Sequence, residues 1–216
     1  MKSPDAYKTI AGQSEGEFKD KGSKFFAYLK FIDTTEGFSD FLNEIKSKHF
    51  KARHHCFAYR LLNKDIFRYA DDGEPSGTAG LPIYNQILSA DLVNVGCIVV
   101  RYFGGTKLGT SGLINAYKLA AKDAIIKANI LNKHLEAYIN IAFDYGLMGN
   151  LLKCIKYLDL DIKETDYNAS PNLTLVVKRS EGESAVKKIK AYMLNRSIED
   201  IDDDTKIEGL VFGIDI

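Results

Sequence analysis

The sequence predicts two α+β domains in tandem, and three observations carry that expectation. Short β-prone runs alternate with amphipathic helical stretches throughout the 216 residues. The pattern restarts around residues 131–135 and then runs in the order βαββαβ, the order of a ferredoxin-like split βαβ domain. Charge divides at nearly the same place. Residues 1–135 hold 19 Lys+Arg and 14 Asp+Glu, whereas residues 136–216 hold 10 and 15, so a half of +5 precedes a half of −5. Such asymmetry favours a polyanion-facing first domain and an acidic second one, although +5 also lies within ordinary scatter for a domain of this size. The domains are accordingly set at 1–134 and 135–216, with a linker near residues 132–136.

Each element has its own warrant. Residues 25–32 are an aromatic and aliphatic run with strand character, followed by a helix that Thr34 or Thr35 caps. Phe38, Phe41, Leu42 and Ile45 recur there at helical spacing and mark its core face. Residues 56–62 and 65–70 flank the polar pair Asn63 and Lys64, which predicts a hairpin. Asp, Gly, Pro, Ser and Thr crowd into 71–80 as a loop, and 81–88 reads as a short helix with Pro82 in its first turn. Residues 93–103 are nearly all apolar, as expected of a central strand covered on both faces. The longest helix is expected over 113–130, capped by Ser111 or Thr110, with Leu113, Ala116, Tyr117, Ala120, Ala121, Ala124 and Ile125 as its apolar stripe. The second domain then reads as strand 137–144, helix 147–158, strands 161–167 and 173–177, helix 184–194 and strand 210–214. The acidic run at 200–204 lacks calcium-loop spacing and reads as a solvated turn.

Composition narrows the class of protein. Hydrophobic residues make up 45% of the chain, with 12 Tyr and 12 Phe, enough for packed cores. No apolar run approaches the roughly 18 residues that span a bilayer, and residues 1–13 lack the apolar segment of a signal peptide. The expectation is a cytoplasmic protein without a membrane partner. Cys56, Cys97 and Cys154 are scattered, odd in number and set among apolar residues, as reduced core thiols would be. Without a Cys-x-x-Cys pair they offer no anchor for zinc, and neither a metal nor a cofactor is expected.

Three segments carry more polar chemistry than folding requires. In the first, Lys51 and Arg53 with His54 make a cationic patch fit for phosphates, or else a solvated strand start; His54 and His55 point to opposite faces of a strand and cannot chelate one metal together. The second holds Asp71, Asp72 and Glu74, three carboxylates within four residues. They suit turn-making and capping ahead of Leu81, and also acid/base work, magnesium or a partner. The third runs from Arg101 through Gly104, Gly105, Lys107 and Gly109 to Thr110 and Ser111, from a buried strand into a long helix. Its glycines allow close backbone approach and its helix start presents unpaired N–H groups, so an anion is welcome; a turn that needs positive φ is the alternative. Thr110 and Ser111 stand where a Walker A loop needs Lys-Ser/Thr, so it is not that motif.

The three blocks 52–60, 71–80 and 99–109 with 112–117 together resemble the YigZ/IMPACT family. The departure at Ile83 and Tyr84, where the family has two aliphatic residues, concerns packing. The resemblance implies a first domain folded like the fourth domain of elongation factor G and the second domain of a small-subunit ribosomal protein, and a second domain like the ferredoxin-like fifth domain of elongation factor G. It also implies binding to RNA or the ribosome and a role in regulating translation; the kinase-activator partner of the eukaryotic relatives is not carried over. An enzyme acting on a phosphorylated small molecule is the first alternative, because small-molecule kinases resemble the same N-terminal fold and place a Gly-Ser-rich loop before a helix. Regulation through a protein partner on the acidic domain is the second. No complete catalytic set is legible, so catalysis is not expected.

Overall fold

The structure, a computed structural model, describes residues 5–63, 65–168 and 170–215. They form two compact units, one spanning 7–133 and the other the described part of 1–6 together with 134–216.

The first unit is built on a five-stranded antiparallel sheet in the order β2-β3-β6-β4-β5. Its strands are β2 (Gln13–Asp20), β3 (Ser23–Phe31), β4 (His54–Arg60), β5 (Phe67–Ala70) and β6 (Val95–Tyr102). The expected hairpin is β4 with β5, where Phe57 lies opposite Ala70 and Arg60 opposite Phe67; Lys64, in its turn, lies outside the described residues. β6 is the middle strand, and its unbroken apolar run has the expected cause: Cys97 and Val99 enter one core while Ile98 and Val100 enter another. On the Cys97 side lie α2 (Gly80–Ser89) and α3 (Gly109–Lys127). Ala116, Ala120, Ala121 and Ala124 line the inner face of α3, small enough to let a long helix lie close on the sheet. On the other side α1 (Thr35–Lys48) buries Phe38, Phe41 and Ile45, and Thr34 caps it by accepting from the Gly37 N–H at 3.1 Å.

Three strands were not expected. β1 (Ala6–Ala11) pairs with β7 (Asn129–His134), so the segment read as the end of a helix and a linker is mostly strand. β2 was missed because its sequence, QSEGEFKD, is almost wholly polar.

The second unit follows the expected βαββαβ order: β8 (Glu136–Phe143), α4 (Met148–Tyr157), β9 (Asp161–Asp166), β10 (Asn172–Lys178), α5 (Gly182–Leu194) and β11 (Leu210–Asp215). Its sheet is antiparallel in the order β11-β8-β10-β9. Ile139, Ile141, Leu173 and Leu175 pack against Leu151, Ile155 and Ile189 of the helices, while the alternate residues of each strand face away from them. Asp5 belongs here: it accepts from the Ser180 N–H at 2.8 Å through its carboxylate, and its carbonyl accepts from Leu135 N–H at 2.9 Å. Among the described residues no helix is long and apolar enough to cross a membrane. All three cysteines are buried and unpaired, and burial raises the thiols of Cys97 to about 12 and Cys154 to about 11.

Candidate nucleic-acid interface

Sheet register gathers the three polar segments at one end of the first unit. His54, the first residue of β4, lies opposite Arg101 near the end of β6. Lys51 and Arg53, just before β4, and the loop from Gly104, just after β6, therefore leave the same end of the sheet. The turn between β2 and β3 meets them there: Gly104 N–H donates to Ser23 Oγ at 3.1 Å, and a Cβ on Gly104 would stand 1.9 Å from the Gly22 carbonyl carbon. Only glycine permits that approach.

The acidic loop closes over the same end, and its carboxylates are held by the protein. Asp71 Oδ1 accepts from the N–H groups of Ala79 (3.0 Å) and Gly80 (2.9 Å), and Oδ2 from that of Gly77 (2.8 Å). Ala79, the N-cap of α2, supplies no side-chain bond, so Asp71 does the capping from outside the helix. Asp72 Oδ2 accepts from the His55 N–H at 2.7 Å, and its carbonyl accepts from His54 Nδ1 at 2.8 Å. Glu74 Oε1 accepts from Arg101 Nη1 at 2.6 Å and from the Tyr117 hydroxyl at 2.8 Å. Both side chains of this ion pair are buried, Arg101 at 8% exposure and Glu74 at 4%. Such a pair is tolerated only where close geometry and further hydrogen bonds offset desolvation. The rings of Phe25 and Phe103, each 5.6 Å from the guanidinium, complete the Arg101 pocket. Burial raises the Tyr117 hydroxyl and the Cys56 thiol, keeping both protonated as donors, the thiol toward the Asp71 carbonyl at 2.9 Å. Glu74 thus shares a site with Arg101, whereas Asp71 and Asp72 are turned to backbone and histidine.

The glycine-rich loop is the opposite case. α3 begins at Gly109, four residues earlier than expected, so Thr110 and Ser111 lie in its first turn and do not cap it; its N-cap, Leu108, makes no side-chain bond and the first turn carries no acid. Among the described residues no side chain bonds the N–H groups there, at the positive end of the helix dipole. Lys107, Thr110 and Ser111 are exposed beside them, and Lys107 makes no ion pair among the described residues. Gly105 and Gly109 take φ of +87° and +72°, as the turn reading of these glycines requires, and a side chain at Gly109 strains the backbone whatever binds nearby.

Several residues at this end went unread in the sequence. Lys21 and Lys24 flank the β2–β3 turn and are exposed, with Lys24 opposite Tyr102; a Lys-Gly turn between alternating runs was the available signal. Phe50 and Phe103 are 75% and 58% exposed, and the Lys51 ammonium lies 5.6 Å over the Phe50 ring. On the α1 side, His49 is held between two hydroxyls, Tyr28 at Nε2 (2.6 Å) and Tyr102 at Nδ1 (3.0 Å). A neutral imidazole satisfies both, with one tyrosine donating and the other accepting. Burial, with Lys48 and His55 nearby, holds the His49 pKa below its ordinary value; burial also lowers that of His55, against the pull of Asp72. Among the described residues no group of three His, Cys, Asp or Glu side chains could hold a metal ion.

The Impact N-terminal domain family matches residues 21–125. The chain is 30% identical over 177 residues to the Bacillus subtilis IMPACT family member YvyE, covering 82% of each chain. It is 31% identical over 152 residues to the Escherichia coli IMPACT family member YigZ, covering 69% of this chain and 74% of that one. A crystal structure described as that of a hypothetical protein superposes at a TM-score of 0.63 with 26% identity, over 88% of this chain and 94% of the other. This chain belongs to the IMPACT family.

Proposed function

We propose that the protein binds RNA, free or within the ribosome, through the end of the first unit's sheet, and that it regulates translation by doing so. The observation that carries this reading is the contrast between the two loops: the carboxylates of 71–80 are internally held, while Lys51, Arg53 and Lys107, with Lys21 and Lys24, stand exposed around an uncapped helix start. Cations and backbone N–H groups take up phosphates, and exposed rings such as Phe50 and Phe103 offer stacking faces to unpaired bases. Arg101 and His55, being buried, shape this end from within. The proposal includes an elongation-factor-like fold for the first unit and a ferredoxin-like fold for the second, which the strand order β11-β8-β10-β9 supports. A phosphorylated small ligand at Gly109–Ser111 is the second reading, favoured by the same uncapped helix start. RNA crosslinking in cells tests the choice. Ribosomal or transfer RNA recovered with the protein is the expected result, and protein recovered free of RNA would contradict it.

A further inference from the structure

The sheet of the second unit has one face covered by α4 and α5, and no described element of the same unit covers its other, bare face. Register identifies the bare face. Val211, Ala142, Asn172 and Asp166 form one row across it; Gly213, Asn140, Thr174 and Glu164 the next; Asp215, Tyr138, Val176 and Asp161 the third. Charge is segregated between the two sides of the unit. The helices carry Lys153, Lys156, Lys187, Lys188 and Lys190 against the single acid Glu183. The bare face carries Glu136, Asp161, Glu164, Asp166 and Asp215 against Lys163 and Lys178. Of those two cations, Lys163 lies 3.8 Å over the Tyr138 ring and Lys178 pairs with Glu181 at 3.2 Å. Asp161 and Glu164 have no side-chain partner among the described residues, while the middle of the face is a polar ladder, Thr174 to Asn140 (2.8 Å) and Asn140 to Asp215 (2.7 Å). Val211, at 68% exposure, adds an apolar spot at its edge.

We propose that this face docks a basic polypeptide, a segment rich in Lys and Arg laid across the strands with its cations on the β9 carboxylates. Charge complementarity selects the partner: phosphates would be repelled by the same row that attracts ammonium and guanidinium groups. The inference is independent of RNA binding by the first unit.

The test uses the full chain, a fluorescein-labelled peptide of repeating Lys-Arg-Gly and, in parallel, a labelled single-stranded RNA. Substituting D161N, E164Q and D166N together should lower peptide affinity roughly tenfold and leave RNA affinity undiminished, with thermal unfolding unchanged because these side chains are exposed. The control D202N, D203N and D204N removes equal charge away from the face, where Asp203 pairs instead with Lys187 of α5 at 3.2 Å, and should shift peptide affinity by less than about twofold. No binding of the peptide by the wild-type chain, equal losses in the two variants, or a loss of RNA affinity in the first would each overturn the proposal.

Discussion

The loops at 71–80 and 104–111 leave the same end of one sheet, are both rich in glycine and polar residues, and have opposite fates. In the first, Asp71, Asp72 and Glu74 all find partners inside the protein, so the loop is a brace. In the second, no side chain caps the start of α3 and the Lys107 ammonium makes no ion pair among the described residues, so the loop presents an open surface. The difference teaches that residue type alone does not mark a binding site; what matters is whether neighbouring groups have already satisfied it.

The strongest way to break this contrast is to free a charge inside the brace. Glu74→Gln leaves the Arg101 guanidinium buried without its counter-ion, and a cost of about 3–5 kcal/mol in denaturant unfolding is expected. A loss below about 1 kcal/mol, the scale of an exposed pair, would show that the ion pair is solvated and the brace is wrong. Gly109→Ala, in the surface loop, strains a residue at φ +72° and should cost about 1–2 kcal/mol. Its effect on ligand affinity is therefore mixed with stability, and Lys107→Glu, at an exposed residue without an ion pair among the described residues, is the cleaner probe.

These distinctions were partly legible in the sequence. β6 was, because a strand buried on both faces must be apolar at nearly every position, and α1 was, through its heptad-like Phe and Ile and its Thr34 cap. The start of α3 was not: Gly109, Thr110, Ser111 and Gly112 are poor helix formers, and packing of Leu113, Ala116 and Tyr117 overrides them. β2 was hidden by its polar sequence, since it sits at a sheet edge. The pairing of Glu74 with Arg101 joins residues 27 apart and depends on strand register, which spacing along the chain does not give.

A smaller effect should appear with pH. His49 and His55 are both held below the ordinary histidine value of 6.5, so the unfolded chain takes up their protons at a higher pH than the folded one. Stability from these groups is complete above that value and falls as pH drops through it toward the folded values. Melting temperature should decline across this window in the wild type and decline less in His49→Gln; identical profiles would show that His49 is not held neutral by its burial.

The most direct measurement is RNA affinity against salt for the wild type and for Lys51→Glu, Arg53→Glu and Lys107→Glu combined. Three exposed cations reversed at one end of the sheet should weaken binding to many RNA sequences alike and flatten the dependence of log affinity on log salt by roughly two to three units for as many lost phosphate contacts, with melting unchanged. Affinity and slope that match the wild type would contradict RNA binding at this end of the first unit.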